Sequence, residues 1–250
     1  MPRDHRRRLL LKTDIVGYGT RDDRDQHVIQ RNFLHLLEDA AAAAGLNRRK
    51  WFTQSSGDGE FAVLPGNEPE PRVVDEFVRQ LDKALGRHNA GVLPSARMRL
   101  RVAIHFGVVS SADNGISGAA AVTVGRLLDC APLREAITSE ESANLALIVS
   151  DEIYRGTIAG HHTTWDDGAF RRVTVQVKEL TAHAWILVPG AGAPRGDVRE
   201  RNPREESARE RTGREQTPRP SQGPRASQVV VNTFYGTVNT HGGDIGISNH

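Results

Sequence analysis

The sequence predicts an α+β or α/β sandwich, in which long helices pack against a β-sheet. Two observations lead to this prediction. Short apolar runs of strand length alternate with two long stretches whose apolar residues recur at helical spacing. The resulting order is strand, helix, hairpin, helix, strand, helix, strand. A mixed order with long helices is typical of a sheet covered by helices.

The beginning of the chain contains a strand, a helix and a hairpin. Residues 9–14 are an apolar run that leads into a glycine-containing loop, which predicts a short buried strand. A helix closed by Gly45 should follow. Residues 51–53 and 60–64 flank the sequence Ser-Ser-Gly-Asp-Gly, so we expect them to pair as a hairpin. The helix is predicted from apolar residues at helical spacing, which are Ile29, Phe33, Leu36, Leu37 and Ala40.

The same rules predict the elements that follow. Residues 65–71 begin and end with proline and should form a loop. Alternating apolar residues predict a strand at 98–109. A second long helix precedes that strand, and its apolar stripe consists of Val74, Phe77, Val78, Leu81 and Leu85. The remaining predicted elements are a helix at 119–128, a strand at 145–149, a short helix near 152–154, and strands at 173–177 and 184–188.

Composition limits the classes of function. Hydrophobic residues make up 38% and aromatic residues 5% of the 250 residues, which indicates that part of the chain lies outside a packed core. The formal net charge is only +2, so binding to nucleic acid or to a membrane is not favoured. The single cysteine, Cys130, excludes an intrachain disulfide, and we interpret it as a packing residue. The first apolar run is too short for a signal sequence or a membrane span, so we expect a cytoplasmic protein.

Three parts are expected along the chain: a folded domain at residues 1–190, a disordered linker at 191–228 and a β-prone tail at 229–250. The linker consists mostly of Arg, Glu, Pro, Gly and Ser, and Val198 is its only aliphatic residue larger than alanine. Such a segment cannot bury enough apolar area to offset its ordering entropy. Its nine arginines are largely offset by six acidic residues, so we interpret it as a tether.

Asp14 and Asp58 are candidate metal ligands from their positions alone. Asp14 lies where an apolar strand gives way to a glycine loop, and Asp58 lies at the tip of the predicted hairpin. If the two strands are neighbours, the carboxylates converge at one edge of the sheet. Paired carboxylates commonly bind Mg²⁺, with phosphates completing its ligand shell. The alternative interpretation is that both aspartates only form turns and bind no metal. Asp-Gly is a strong hairpin-turn signal, and aspartate at a strand end is an ordinary turn former.

Four segments, in family order, resemble the catalytic domain of class III adenylate and guanylate cyclases. Residues 13–18 (TDIVGY) resemble the first metal-binding motif, and residues 56–61 (SGDGEF) resemble the second. Residues 101–107 (RVAIHFG) resemble the strand after the second long helix, and residues 118–129 resemble the helix that carries transition-state residues. The resemblance covers about three quarters of the chain. It implies a ferredoxin-like cyclase sandwich and a head-to-tail homodimer with active sites at the subunit interface.

The resemblance also implies roles for individual residues. Asp14 and Asp58 would bind two Mg²⁺ or Mn²⁺ ions, and the carbonyl of Ile15 would help to coordinate one of them. These ions would bind the triphosphate of an NTP substrate and activate its ribose 3′-hydroxyl for attack on the α-phosphate. Arg126 would stabilise charge on the phosphates in the transition state.

Other positions depart from the family pattern. The family usually has an asparagine that orients the ribose where this chain has Val122. Valine has no polar side-chain atom, so this contact is lost unless the adjacent Thr123 replaces it. The base-selecting position falls near Gln54 and its partner near Gly115. An amide pairs with any base, so the choice of base stays open. Lys178 lies near the position of the family's triphosphate-binding lysine, although a surface lysine at a strand end is the alternative interpretation.

We therefore expect a metal-dependent nucleotidyl cyclase-like signalling effector that converts an NTP to a cyclic nucleotide and pyrophosphate. The alternative is a catalytically degenerate module that binds a nucleotide or a protein partner. The tail is rich in Asn, Thr and Gly, almost uncharged and free of proline, which favours stacking with copies of itself. It resembles bacterial amyloid-signalling motifs, which implies a receptor or effector with a matching motif. A strand that pairs back onto the domain and a disordered tail are the other interpretations.

Overall fold

The computed structural model describes residues 5–112 and 115–191. Nearly all of the domain predicted at 1–190 lies within these ranges. The predicted linker at 191–228, apart from Ala191, and the predicted tail at 229–250 lie outside the described residues.

The described residues form an α+β structure. The strands are β1 (His5–Ile15), β2 (Phe52–Ser56), β3 (Gly59–Val63), β4 (Leu100–Ala112), β5 (Gly115–Ser117), β6 (Leu145–Ser150), β7 (Arg171–Val177) and β8 (Leu180–Leu187). The helices are α1 (Asp23–Ala43), α2 (Glu70–Arg72), α3 (Val78–Ala90), α4 (Ala119–Leu128), α5 (Ala131–Ser139) and α6 (Asp151–Ile153). A π-helical turn at Val73–Phe77 joins α2 to α3, and a second at Tyr154–Ile158 continues α6.

The described strands belong to one mixed sheet in the order β2-β3-β1-β4-β6-β8-β7, with β5 paired to the end of β4. Strand β1 runs antiparallel to both of its neighbours, β3 and β4. Strands β4 and β6 are parallel, and β8 is antiparallel to β6 and β7. The position of β1 between the β2–β3 hairpin and β4 brings the sequence motifs of all three segments into one region of the sheet.

Alternating residues of β1 belong to two separate hydrophobic cores. Leu9 and Leu11 belong to the core that contains Phe33 of α1 and Leu81 of α3. Leu10, whose side chain points to the opposite face, belongs to the core that contains residues of α4 and α5. Helices therefore cover both faces of the sheet at β1, which explains why this strand is a continuous apolar run rather than an alternating one.

The first long helix begins and ends with the local signals that its sequence contains. Asp22 is the N-cap, and its Oδ1 accepts a hydrogen bond of 2.8 Å from the backbone N–H of Asp25. Gly45 follows the end of the helix with a φ of 68°, a conformation that favours glycine.

The predicted elements are all present, with some differences in their bounds. Strand β1 begins earlier than predicted, and α2 begins at Glu70, inside the stretch that we expected to be a loop. Helix α5 and strand β5 were not predicted, since both are short and α5 contains a proline in its first turn. Cys130 is the N-cap of α5 and is buried in the α4–α5 core, which agrees with a packing role. No helix in the described ranges is both long and apolar enough to cross a membrane.

The β2–β3 turn lies so close to β1 that residue 59 has no room for a side chain. Gly59 pairs with Asp14, and a Cβ at this position would lie 2.2 Å from the carbonyl oxygen of Thr13. Two hydrogen bonds hold the turn in place. The backbone N–H of Ile15 donates to the carbonyl of Asp58 at 2.8 Å, and the side chain of Gln30 donates to the carbonyl of Gly57 at 2.7 Å.

We predict that Gly59→Ala lowers the free energy of unfolding by about 2 kcal/mol or more, because the added methyl group forces β3 away from β1. The matched control is Gly19→Ala, since a Cβ at Gly19 meets no heavy atom within 4 Å. Urea unfolding of both variants measures the difference. Equal stability of the two variants would contradict the close approach of the turn to β1.

Candidate metal and nucleotide site

Asp14 lies near the end of the central strand β1, and its side chain is largely buried, with 8% of the residue exposed. In the register of the sheet, Asp14 is opposite Gly59 of β3 and opposite Arg101 of β4. Since alternate residues of a strand share a face, Asp14 is on the same face as Leu10, whose core includes α4. The carboxylate therefore lies on the face of the sheet that α4 covers.

The Asp14 carboxylate forms a bidentate ion pair with Arg101. The Nε of Arg101 donates to Oδ1 at 2.9 Å, and Nη2 donates to Oδ2. Both side chains are mostly buried, at 12% exposed for Asp14 and 16% for Arg101. A bidentate guanidinium–carboxylate pair fixes the orientation of both groups. Arg101 thus provides the countercharge of Asp14 when no metal is bound.

Asp58 lies at the tip of the β2–β3 hairpin, as predicted, and its side chain is exposed. The hydrogen bond from Ile15 to the Asp58 carbonyl joins this tip to the end of β1. Asp58 is close enough for its charge to raise the pKa of the Asp14 carboxyl. The structure therefore brings together Asp14, Ile15 and Asp58 at one end of β1.

The pKa of Asp14 is raised above its ordinary value, and burial is the largest cause. Arg101 opposes this shift by hydrogen bonding and by its charge, while the charges of Asp58 and Asp129 add to it. The carboxylates of Asp14 and Asp58 provide the hard oxygen ligands that Mg²⁺ and Mn²⁺ prefer. The residues present therefore fit a divalent cation.

The protein itself supplies only part of a ligand shell at this point. Among the described residues, no group of three or more His, Cys, Asp or Glu side chains is arranged to hold a metal ion. Two carboxylates are sufficient where a phosphate-bearing substrate and water supply the remaining ligands, which is common for Mg²⁺. The Ile15 carbonyl is an additional oxygen at the same end of β1.

Gln54 and Gly115, the two positions expected near the base, are neighbours in the structure. A Cβ on Gly115 would lie 3.6 Å from the Gln54 amide nitrogen and 3.7 Å from its amide oxygen. The same point is 3.3 Å from Cζ of Phe52, a large apolar side chain that is 40% exposed. This corner therefore presents one amide and one aromatic ring, and Gly115 adds no polar side-chain atom.

Arg126 lies in the last turn of α4 and forms an ion pair with Glu179. Glu179 and Lys178 form the two-residue loop between β7 and β8, in which Lys178 has a φ of 53°. The pKa of the Glu179 carboxyl is lowered, first by its own backbone N–H and then by the charge of Arg126. Because Glu179 is exposed to solvent, its pairing with Arg126 is easily exchanged for another anion. Arg126 and Lys178 are thus at the same corner of the domain.

Val122 is 51% exposed and lies one helical turn before Arg126 on α4. An exposed valine in a helix contributes neither to the core nor to hydrogen bonding. Its neighbour Thr123 is half-buried. The exposed face of α4 therefore has an apolar side chain at the position where the resemblance implies a polar contact with ribose.

The candidate residues form three groups, which are the Asp14, Ile15 and Asp58 group, the Gln54 and Gly115 group, and the Arg126 and Lys178 group. No hydrogen bond or ion pair within residues 5–112 and 115–191 joins one group to another. A cavity of about 730 Å³ lies elsewhere, between α5 and the β7 and β8 strands, and none of the candidate residues lines it.

The sequence alone does not single out Arg101 or Phe52. Arg101 is within the segment that resembles a cyclase strand, but its pairing with Asp14 depends on the register of β1 and β4. An arginine inside an otherwise apolar strand was a signal for a buried partner of opposite charge. The position of Phe52 beside Gly115 depends on the long-range path of the β4–β5 hairpin, for which the sequence contains no local signal.

Comparison with solved structures shows which proteins share this fold. The adenylate/guanylate cyclase/hydrolase from Silicibacter pomeroyi is 23% identical, with a TM-score of 0.54, and the match covers 75% of this chain and 99% of that one. The guanylyl cyclase Cya2 is 16% identical, with a TM-score of 0.53, and the match covers 78% and 98% of the two chains. The adenylyl cyclase CyaB from P. aeruginosa is 14% identical, with a TM-score of 0.51, and the match covers 78% and 100%.

No protein-family model and no curated protein matches the sequence. The likeness to solved structures shows that the described residues have the fold of adenylate and guanylate cyclase catalytic domains. The predicted fold class, a mixed sheet with helices in the cyclase arrangement, is therefore confirmed.

We predict that Arg101→Met lowers the free energy of unfolding in the absence of divalent metal by about 3 kcal/mol, because the largely buried Asp14 carboxylate loses the countercharge with which it pairs. A divalent cation would then replace that countercharge. Mn²⁺ should therefore raise the Tm of Arg101→Met more than it raises the Tm of the wild type. Urea unfolding and thermal melting with and without Mn²⁺ measure both effects.

The matched control is Arg155→Met, since Arg155 belongs to an ion pair in which its side chain is 73% exposed. Removal of this surface pair should change the free energy of unfolding by less than about 1 kcal/mol. If Mn²⁺ stabilises Arg101→Met no more than it stabilises the wild type, Asp14 is not a metal ligand.

Proposed function

We propose that the protein is a metal-dependent nucleotidyl cyclase, a phosphorus–oxygen lyase that converts an NTP to a cyclic nucleotide and pyrophosphate. The observation that carries this proposal is the convergence of Asp14 and Asp58 at the end of β1. The cyclase fold supports it. Packing does not explain either aspartate. Asp58 is exposed, and burial of Asp14 disfavours its ionised form by raising the pKa of its carboxyl.

In the proposed reaction, the ribose 3′-oxygen forms a bond to the α-phosphorus while the bond from that phosphorus to the bridging oxygen of pyrophosphate breaks. The hydroxyl proton is released. The chemistry supplied by bound Mg²⁺ or Mn²⁺ is acidification of the 3′-hydroxyl and neutralisation of the triphosphate. Asp14, Asp58 and the Ile15 carbonyl would hold the metal.

Arg101 and Arg126 would act on the phosphates. When Asp14 binds a cation, Arg101 loses its partner at one or both carboxylate oxygens and stays beside the site as a positive group. Arg126 would exchange its exposed partner Glu179 for substrate phosphate, and Lys178 of the same corner would add a second positive charge. In both cases, the guanidinium leaves a carboxylate of the protein and pairs with a phosphate of the substrate.

We further propose that the active unit is a head-to-tail homodimer. The metal-binding group (Asp14, Ile15 and Asp58) and the α4 group (Arg126 and Lys178) have separate partners within one chain. Asp14 pairs with Arg101, and Arg126 pairs with Glu179. A site shared between two copies would bring the metal-binding group of one subunit to the α4 and Gln54 groups of the other. Exposed apolar side chains near α4, which include Val108 and Val122, are suited to such an interface.

We predict that the purified full-length protein forms a cyclic nucleotide from at least one of the four NTPs with Mn²⁺, and that Asp58→Ala lowers the rate by about a hundredfold or more. The matched control is Asp39→Ala, which removes an exposed carboxylate from α1 and should leave the rate unchanged. Mass spectrometry of the products measures the reaction. Absence of a cyclic product with all four NTPs, from protein shown to be dimeric, would overturn the proposed activity.

A second function is favoured by the exposed Val122, which removes one oriented contact to the substrate. In this alternative, the domain binds a nucleotide or a protein partner as a sensor and does not turn the nucleotide over. Calorimetry on the same samples separates the two functions. Binding of Mn²⁺–NTP without product supports a nucleotide sensor, whereas the absence of NTP binding contradicts it.

We also propose that residues 229–250 assemble with copies of themselves or with a matching motif in a partner, and that this assembly promotes dimerisation of the cyclase-like domain. The support for this is the composition of the segment, which is β-prone, nearly uncharged and free of proline. We predict that a peptide of residues 229–250 forms thioflavin-positive fibrils. A scrambled peptide of the same composition is the control, and a peptide that stays monomeric at high concentration would contradict the proposal.

A further inference from the structure

Lys12 is a half-buried lysine on the central strand, between the metal-binding group and helix α4. It lies on β1, where it pairs with Phe61 of β3 and Ala103 of β4. Its ammonium nitrogen is 3.4 Å from the position of a Cβ on Gly125, the residue before Arg126. The lysine stem therefore crosses the sheet face between its neighbours, and the charged end reaches α4.

The ammonium of Lys12 has no counterion in the part of the chain that the structure describes, where it forms neither a hydrogen bond nor an ion pair. Leu10, two residues earlier on the same face, is fully buried in the core that includes α4, and Phe61 packs against that core. An apolar side chain at residue 12 would continue this packing. The lysine at this half-buried position instead carries a charge that no acidic side chain among the described residues pairs with. Departures of this kind from core patterning are typical of positions that bind a ligand.

Two relations point to the identity of that ligand. Lys12 and Asp14 share a face of β1, with Cα atoms about 7 Å apart for an i, i+2 pair in a strand. Gly125 and Val122 are three residues apart on α4 and therefore share a face of the helix. Lys12 is thus two residues from Asp14 on the same face of β1, and its ammonium lies beside Gly125 of α4.

We infer that Lys12 is a substrate-binding residue whose ammonium donates to oxygens of a nucleotide's phosphate chain. The inference rests on the proposed function and deepens it. It requires an anionic ligand on this face of the sheet, because an ammonium has three donors and no acceptor. A triphosphate bound to a metal at Asp14 and Asp58 of the same chain would lie within reach of Lys12 and so meet this requirement.

The experiment measures binding of inorganic tripolyphosphate to the full-length protein in the presence of Mn²⁺, by calorimetry. This probe has the phosphate chain of an NTP but no ribose, no base and no reaction. The variants are Lys12→Met, Lys12→Arg and the control Lys83→Met. Lys83 is exposed on α3, which packs on the opposite face of the sheet, so Lys83→Met removes the same charge away from the site.

We expect Lys12→Met to weaken tripolyphosphate binding by about tenfold or more, which corresponds to one charge-assisted contact. Lys12→Arg should keep the affinity within about threefold, and Lys83→Met within about twofold. The Tm of Lys12→Met should be equal to or higher than that of the wild type, so that weaker binding does not reflect a loss of folding.

Wild-type affinity in Lys12→Met, or no binding by the wild type at all, would overturn the inference. An equal loss of affinity in Lys83→Met would also overturn it, because the loss would then result from the lower net positive charge of the protein. Failure of the cyclase proposal looks different. In that case the wild type binds tripolyphosphate, Lys12→Met binds it more weakly, and no NTP gives a cyclic product.

Discussion

The antiparallel pairing of β1 with both β3 and β4 is the constraint on which the candidate site depends. In this register, Asp14 has Gly59 on one side and Arg101 on the other. Gly59 lets the β2–β3 turn approach β1, so that Asp58 reaches the same end of the strand. Arg101 gives the buried Asp14 carboxylate a countercharge without a metal. A shift of the register by one residue would move Asp14 to the opposite face of the sheet and separate all of these groups.

Much of the fold could be predicted because its signals are local. The apolar run of β1, the helical spacing of α1 and α3 and the Asp-Gly turn each depend on residues near one another in sequence. Asp14 and Asp58 were also predictable as a pair, because their strand-end and hairpin-tip positions require only that the two strands be neighbours. The helix α4 was predicted with its observed bounds, since a glycine precedes it and its apolar residues have helical spacing.

The rest of the site depends on contacts between residues far apart in sequence. The ion pair between Asp14 and Arg101 joins two strands 87 residues apart, and the pair between Arg126 and Glu179 spans 53 residues. In the sequence, Lys12 is one charged residue at the end of an apolar run, and only the position of α4 beside β1 reveals how close its ammonium lies to Gly125. Local periodicity contains no information about such approaches, so neither the partners of these residues nor their charge state followed from the sequence.

The central claim is that Asp14 and Asp58 together bind a divalent cation that carries a nucleotide. The measurement that tests it most directly is a crystal structure of the full-length protein with Mn²⁺ and an NTP analogue whose α,β-bridging oxygen is replaced by a methylene group, with Mn²⁺ located by its anomalous scattering. We expect Mn²⁺ within about 2.5 Å of carboxylate oxygens of both aspartates, and Arg101 released from at least one oxygen of Asp14. Mn²⁺ located elsewhere, with Arg101 still bidentate on Asp14, would contradict it.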